Sequence, residues 1–311
     1  MSSPPPLVSL ITATFNRRSL LPRLAESIRA QTLSHFEWIV IDDGSTDGTD
    51  QYFAALNDPR IKLIRQSNQG CNAARNRGEL EINAEFVVFI DSDDELVGPD
   101  TLGHMVERIA RTSDSIGVVA FSVETPEGGG GESRLSEDEI VLGYTELLCG
   151  HRVEGEFLRI FKRQALAVSP WASGFAGMEI LKYLAIAKHY QTLYVRESAL
   201  IYHMNHGDNL TSARQTILRA PSMIVGYEQL INENISGFRS ACPKALGLNL
   251  FHAAMYCTID GQDRRAVGHA LGALKERGPL LHIMLLLMSL LLPLPMRRKL
   301  FILRSQKKGR L

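Results

Sequence analysis

Phe86-Val-Val-Phe-Ile-Asp91-Ser-Asp93-Asp94-Glu95 is the stretch that decides how this chain folds. Its apolar run has the length of a strand buried on both faces, and it ends directly in acids. Those acids fall at the C-terminal end of the strand, the edge where open α/β sheets bind their ligands. Asp91 and Asp93 alternate across Ser92, so in extended backbone their carboxylates point the same way. Two hard oxygen ligands on one side suit a divalent cation. An acidic turn that merely ends a strand has the same composition.

The neighbouring segments repeat the pattern. Residues 7–12 form an apolar, β-rich run, followed by Thr14 and Asn16. Ser19 is placed to cap a helix over residues 20–31, with Leu20, Leu24 and Ile28 on one face. A second apolar run, residues 36–41, ends in Asp42-Asp43-Gly44-Ser45-Thr46-Asp47-Gly48, a loop of turn and N-cap residues leading into a helix over residues 49–56. Residues 61–65 read as a third strand and residues 70–84 as a helix carrying Arg75 and Arg77. After the fourth strand, residues 99–111 read as a helix with Pro99 near its first turn, and residues 117–123 as a fifth strand. This alternation predicts an α/β fold with a parallel, doubly wound sheet. The loops 14–16, 42–44 and 91–94 each follow a strand C-terminus. In a parallel sheet those ends share one edge, so the three loops converge on one crevice, which favours a ligand site over a plain turn.

The second half is less regular. Gly128 to Gly131 make a flexible connection rather than a phosphate loop, because no Lys-Ser/Thr pair follows. Residues 155–166 mix aromatic, apolar and basic types, and residues 170–177 form a loop with two exposed-looking aromatics, Trp171 and Phe175. Residues 178–189 read as a helix with Glu179 near its start, residues 192–195 and 199–203 as strands, and His203-Met-Asn-His206 as a polar loop. From residue 212 to 278 the periodicity is helical. Residues 280–292 are all Leu, Ile or Met except His282 and Ser289. That length reaches about 20 Å as a helix, short of the roughly 30 Å hydrocarbon core. Behind it come Arg297, Arg298, Lys299, Arg304, Lys307, Lys308 and Arg310, with no acid after Glu276. An apolar helix followed by a basic tail has the composition of an anchor on an anionic membrane surface. A core helix with a solvated tail has it too.

Composition sets outer bounds. At 311 residues the chain makes one large domain or two. Its 34 Lys and Arg balance 34 Asp and Glu, which argues against a general nucleic-acid binder. Cys71, Cys149, Cys242 and Cys257 are scattered without a Cys-x-x-Cys pair and read as free thiols in a reducing compartment. The start, Met1-Ser-Ser-Pro-Pro-Pro-Leu7, lacks the basic and apolar regions of a signal peptide.

Four motifs, in order and in spacing, resemble the family 2 glycosyltransferases, inverting nucleotide-sugar enzymes with a GT-A fold. They are Val8-Ser-Leu-Ile-Thr-Ala13-Thr14-Phe-Asn16-Arg17, Trp38-Ile-Val-Ile-Asp42-Asp43-Gly44-Ser45-Thr46-Asp47-Gly48-Thr49, Asn68-Gln-Gly70-Cys-Asn-Ala-Ala-Arg75-Asn76-Arg-Gly78 and Phe89-Ile-Asp91-Ser-Asp93-Asp94. The resemblance is dense to about residue 100 and thins out by residue 211. It implies a GT-A domain over residues 1–211; helical periodicity adds an extension over 212–279, and the apolar run and basic tail a membrane-surface segment over 280–311. It implies that Ala13, Thr14, Asn16 and Asp43 bind the nucleotide, with the Asp43 carboxylate accepting the imide N–H of uracil. Arg75 would lie near the base or diphosphate, Asp91 and Ser92 near the ribose, and Asp93 on a Mg²⁺ or Mn²⁺ ion that bridges the diphosphate. Asp94 would support the site. Gly177-Met178-Glu179-Ile180 stands where the family often reads Gly-Glu-Asp, so Glu179 would deprotonate the acceptor hydroxyl; the plainer role is an acid complementing a helix dipole. His203 or His206 would reach the metal or diphosphate, His206 being the one placed on the metal. Ala13 and Cys71 depart from the family's usual Pro and Val or Ile.

The resemblance thus points to transfer of a sugar from a UDP-sugar to a saccharide or lipid-linked saccharide in surface polysaccharide assembly. The enzyme would sit in the cytoplasm, peripheral on the inner face of the cell membrane. A processive synthase is disfavoured because no stretch of about 20 apolar residues is present and Gln-x-x-Arg-Trp is absent. Intact Asp91, Asp93 and Glu179 argue against a non-catalytic nucleotide-sugar-binding regulator. No Gly-x-Gly-x-x-Gly follows the first strand, which argues against a dehydrogenase.

Overall fold

The structure, a computed structural model, describes residues 5–126, 132–150, 152–174, 177–203 and 213–308. The chain divides into two compact units. One comprises Met1–Leu147, His151–Gly174 and Glu179–Met204; the other comprises Leu148–Gly150, Phe175–Met178 and Asn205–Leu311.

In the first unit, β1 (Val8–Thr14), β2 (Phe36–Asp42), β3 (Ile61–Arg65) and β4 (Phe86–Phe89) alternate with α1 (Leu21–Arg29), α2 (Thr49–Leu56) and α3 (Cys71–Glu79). The strands pair in parallel in the order β3-β2-β1-β4. The inner strands β1, β2 and β4 are mostly apolar because both faces are covered, while β3, at the sheet edge, is only partly buried. Phe36, Trp38 and Val40 of β2 meet Leu21, Leu24 and Ile28 of α1 and Phe53 of α2 on one side. Ile39 and Ile41 meet Ala74 of α3 on the other. Helix α1 is not capped by Ser19 as the sequence predicts. Leu20 stands at the N-cap without a side-chain bond, and Pro22 in the first turn sets the helix start instead.

Beyond β4 the chain adds β5 (Glu95–Leu96), α4 (Thr101–Ala110), β6 (Ile116–Glu124), β7 (Arg134–Leu135), β8 (Glu139–Leu142), α5 (Tyr144–Cys149), β9 (Val153–Glu154), β10 (Phe157–Lys162), α6 (Arg163–Leu166), α7 (Ile180–Ala187) and β11 (Gln191–Ile201). The main sheet is mixed rather than wholly parallel, because β10 runs antiparallel between β4 and β6. Arg159 and Lys162 break the apolar pattern of this strand and hide it in the sequence. Both are absorbed locally: the Arg159 guanidinium lies 4.2 Å from the Tyr183 ring centroid, and Lys162 Nζ donates to the Ser113 carbonyl at 2.8 Å. The two short strands expected over residues 192–203 are one strand, β11, whose register against β6 shifts between Val195 and Ser198, at the exposed Arg196 and Glu197. The glycine run at 128–131 lies outside the described residues.

The second unit is helical, with α8 (Ala213–Leu218), α9 (Ala220–Ala241), α10 (Pro243–Asp260), α11 (Asp263–Lys275), α12 (Leu280–Ser289) and α13 (Leu294–Lys308). Ala254 of α10 and Ala270 and Ala273 of α11 pack with Ile283 and Leu286 of α12. No helix among the described residues is long and apolar enough to cross a membrane. Cys149 and Cys242 form a disulfide with Cα atoms 5.7 Å apart, so the reading of four free thiols is corrected to two, Cys71 and Cys257. The pair is 93 residues apart in sequence, a distance over which spacing carries no sign of contact.

Gly78 sets how closely α3 approaches the sheet. A Cβ there would lie 2.6 Å from Ile11 Cγ2. On helix propensity alone alanine would stabilise by about 1 kcal/mol. We expect Gly78→Ala to destabilise instead, by about 1–3 kcal/mol in urea unfolding, because Ile11 is β-branched and cannot swing aside. A stabilised variant would show that α3 stands off the sheet.

Candidate active site

The C-terminal ends of β2, β1 and β4 lie side by side, and their loops meet as expected. Asp43 N donates to the Thr14 carbonyl at 2.9 Å, and Ile90 N to the Ile11 carbonyl at 3.0 Å. The acidic cluster itself differs from the extended form read in the sequence. β4 ends at Phe89, and residues 91–94 form a turn closed by Asp94 N on the Asp91 carbonyl. Alternation across Ser92 therefore does not apply, and each acid has its own surroundings. Asp91 is 53% exposed and pairs through Oδ1 with Arg75 Nη2 at 3.0 Å. Ser92 is buried. Asp93 accepts from Arg17 Nη1 at 2.8 Å, and its carbonyl accepts from Arg23 Nη2. Asp94 is buried and accepts from His203 N at 3.4 Å. Burial, reinforced by the charges of Asp91 and Asp93, pushes its carboxyl well above the usual carboxylate range.

Helix α3 brings the second half of the unit to this turn. Asn72, Arg75, Asn76 and Glu79 lie on one face by helical spacing, and each reaches across. Asn72 Nδ2 donates to the Ala172 carbonyl at 2.8 Å. Asn76 donates to the Trp171 carbonyl at 2.8 Å and accepts from Trp171 N at 2.7 Å. Glu79 pairs with the fully buried Lys182 at 2.5 Å. Arg75, only 10% exposed, pairs with Asp91 through Nη2 and with Glu179 Oε1 through Nη1 at 3.1 Å. Trp171, which the sequence suggested was exposed, is buried beneath this seam, with the cations of Arg75 and Lys182 each 5.0 Å from its ring centroid. Glu179 is the N-cap residue of α7, yet its side chain makes no capping bond; it turns to Arg75 instead.

The loop residues that the family resemblance assigns to the nucleotide are held by contacts within the chain. Asp43 Oδ1 accepts from Gln66 Nε2 at 2.7 Å and Gln69 N at 2.9 Å, and Oδ2 from Gly70 N at 2.8 Å. Gly70, at φ +89°, occupies backbone that favours glycine as the chain enters α3. Asn16 fastens the first loop to the second: its N donates to Ser45 Oγ at 2.9 Å and its Oδ1 accepts from Thr46 N at 2.8 Å. Thr14 Oγ1 is buried beside Ala13 and has no hydrogen-bond partner among the described residues, a feature that asks for a ligand.

His203 pairs through Nε2 with Glu95 Oε1 at 2.9 Å. His206 lies outside the described residues. Among those residues no group of three or more His, Cys, Asp or Glu is arranged to hold a metal. Asp91 and Asp93 each use one carboxylate oxygen in an arginine pair, and the other accepts no hydrogen bond from the described residues. That set fits a hard cation bound by one or two carboxylates that takes its other ligands from phosphate and water. Arg17, Asn72, Asn76, Glu79 and Lys182 were given no role in the sequence, and Trp171 was read only as a loop aromatic. The α3 stripe could have been found, since its polar residues recur at i, i+3, i+4 and i+7 on a helix that must otherwise be buried.

The glycosyl transferase family 2 model matches residues 9–168. The putative glycosyltransferase EpsH of Bacillus subtilis is 37% identical over 156 residues, which is 49% of this chain and 43% of EpsH. The GalNAc(5)-diNAcBac-PP-undecaprenol beta-1,3-glucosyltransferase of Campylobacter jejuni is 28% identical over 233 residues, 72% of this chain and 73% of that protein. Among solved structures, the mannosyltransferase PcManGT from Pyrobaculum calidifontis, in complex with GDP-Man and Mn²⁺, superposes with a TM-score of 0.59. It is 19% identical, with 99% of this chain and 88% of that one covered, so the likeness is one of fold.

Cys71 opens α3 beside Arg75. Burial pushes its thiol up to about 11, so at neutral pH the reactive thiolate is scarce. We expect iodoacetamide to modify Cys71 at pH 7.5 roughly a hundredfold more slowly than a free cysteine, and the rate to rise about tenfold per pH unit up to pH 10. Rapid labelling at pH 7.5, followed by peptide mass spectrometry, would overturn the assigned burial.

Proposed function

The chain belongs to glycosyl transferase family 2 and is a transferase of GT-A fold; from that premise we propose that it moves a sugar from a UDP-sugar to a hydroxyl of a lipid-linked saccharide, with inversion at the anomeric carbon. The observation that carries this reading is the Arg75 bridge, in which one buried guanidinium holds both Asp91, on the donor side, and Glu179. In this scheme the Glu179 carboxylate takes the proton of the acceptor hydroxyl. The acceptor oxygen bonds to the anomeric carbon from the face opposite the diphosphate, the bond from that carbon to the diphosphate oxygen breaks, and its electron pair leaves with the diphosphate. Asp91 and Ser92 meet the ribose. Asp93 holds the divalent cation, Mg²⁺ or Mn²⁺, with His206 as a further ligand on the strength of its sequence position. When bound, the cation neutralises charge on the departing diphosphate.

Ala13, Thr14, Asn16 and Asp43 bind the base, Asn16 by holding the loop. The occupancy of Asp43 favours uracil. A carboxylate has about four acceptor positions, and three are taken. One remaining position suits the single imide N–H of uracil, whereas guanine presents two donors side by side.

The acceptor side draws support from the helical unit. Leu280, Leu281, Met284, Leu285, Met288 and Leu291 are exposed along α12 and just after it, while Ile283 and Leu286 face the core. Lys299 is exposed, and no acid follows Glu276. Arg297 is not part of a free basic tail: its guanidinium is bound to Asp263 and to the Leu290 and Leu292 carbonyls. An exposed apolar face beside basic residues suits the anionic surface of a membrane. This supports an enzyme working on the inner face of the cell membrane; the name of the C. jejuni relative gives that protein an undecaprenol-linked substrate.

Two measurements test the reading. Glu179→Gln should lower turnover of the responsive UDP-sugar by about 10²- to 10⁴-fold, while the thermal shift produced by that donor with Mn²⁺ persists. Unchanged turnover removes Glu179 as base, and a response to GDP-sugars alone removes the uracil assignment. In flotation with anionic vesicles, replacing Leu281, Met284 and Met288 together by Gln should release the protein, because these side chains are exposed and do not support the fold. Equal flotation of the variant would dispose of the surface anchor.

A further inference from the structure

Asp93 is held from both sides by one stretch of chain. Arg17, in the loop after β1, puts Nη1 2.8 Å from Asp93 Oδ2. Arg23, in α1, donates to the Asp93 carbonyl. Arg17 and Asp93 are both about a quarter exposed, so the pair is reachable from solvent. A cation arriving alone must either take Oδ2 from the guanidinium or bind the other oxygen with a positive charge beside it. Either route weakens binding.

We propose that Arg17 occupies the Asp93 carboxylate until a divalent cation and a nucleoside diphosphate arrive together. The inference rests on the reading of Asp93 as a metal ligand. The diphosphate supplies what the lone cation lacks: an anion that pairs with Arg17 in exchange for Asp93. Arg17 thus couples the two ligands. The cation binds weakly to the free protein and more tightly once the diphosphate has drawn Arg17 away. By reciprocity, the diphosphate binds more tightly when the cation is present.

The test is Mn²⁺ titration of the full-length protein, followed by electron paramagnetic resonance, with no sugar donor present. Arg17→Gln should bind Mn²⁺ about two- to fivefold more tightly than the natural chain, the size expected for loss of one partly exposed ion pair. The difference should shrink as salt is raised from about 0.05 M to about 0.5 M. Arg17→Lys, which keeps the charge, should stay near the natural value. Adding UDP should tighten Mn²⁺ more in the natural chain than in Arg17→Gln. The natural chain measured with and without UDP keeps the proposal testable should Arg17→Gln fail to fold, as judged by circular dichroism; no tightening by UDP then overturns it. Equal or weaker Mn²⁺ binding by folded Arg17→Gln also overturns it. If Asp93→Asn leaves Mn²⁺ binding untouched, the metal assignment of Asp93 itself fails.

Discussion

Arg75 is a guanidinium buried to nine-tenths, and a buried cation left without partners costs several kcal/mol. Its carboxylates come from two places far apart in the chain, Asp91 in the turn after β4 and Glu179 at the start of α7. Neither placement is free to drift while Arg75 stays buried. The close approach of Gly78 to Ile11 fixes α3 on the sheet, and Arg75 lies one turn earlier on the same helix. The packing of a β1 side chain against a glycine of α3 thereby controls where two distant acids meet. Burial works against the Arg75 cation, but the neighbouring Cys71, Asp91 and Glu179 outweigh it and raise its pKa well above its ordinary value, so the bridge stays charged.

The antiparallel insertion of β10 makes this meeting possible. A wholly parallel sheet would continue outward from β4 with another crossover helix. Here β10 lies directly against β4, and the chain after it leads through α6 to Trp171 and then to α7. Trp171 packs edge-on against Phe89, the last residue of β4, with ring centroids 4.9 Å apart. The aromatic ring thus fills the space beneath Arg75 and Lys182, where smaller packing would let the polar seam slip. Glu156, just before β10, is exposed but shares this field: partial desolvation raises its carboxyl, Arg159 opposes the rise, and the charges of Glu179 and Asp91 add to it. It is a further acid on the side of the crevice where Glu179 stands.

The first hundred residues were legible because their signals are local. A continuous apolar run reports burial on both faces, and a Gly- and Asp-rich loop after it reports a strand end, as at residues 36–48. The convergence of three loops followed from strand order alone. What escaped is non-local. Arg159 and Lys162 look like surface residues until Tyr183 and the Ser113 carbonyl are seen beside them. Trp171 looks like a loop aromatic until the α3 stripe closes over it. The Cys149–Cys242 bond joins segments with no shared pattern. The same-side reading of Asp91 and Asp93 failed for a smaller reason: strand geometry was extended as far as Asp93, beyond Phe89, where the hydrogen-bonded ladder stops.

The acids of this crevice are balanced within the chain itself. Asp91 is matched by Arg75 and Asp93 by Arg17, while the raised pKa of Asp94 favours its neutral form. The charges of these same acids, with Glu156, reinforce the burial that drives the Tyr202 hydroxyl up to about 12 and keeps it un-ionised. An added polyanion would upset that balance, since every arginine at the turn already has a carboxylate or carbonyl partner. A lone divalent cation would upset it in the opposite sense. The arrangement tolerates best a ligand that brings both charges at once, and that preference follows from the pairs already present.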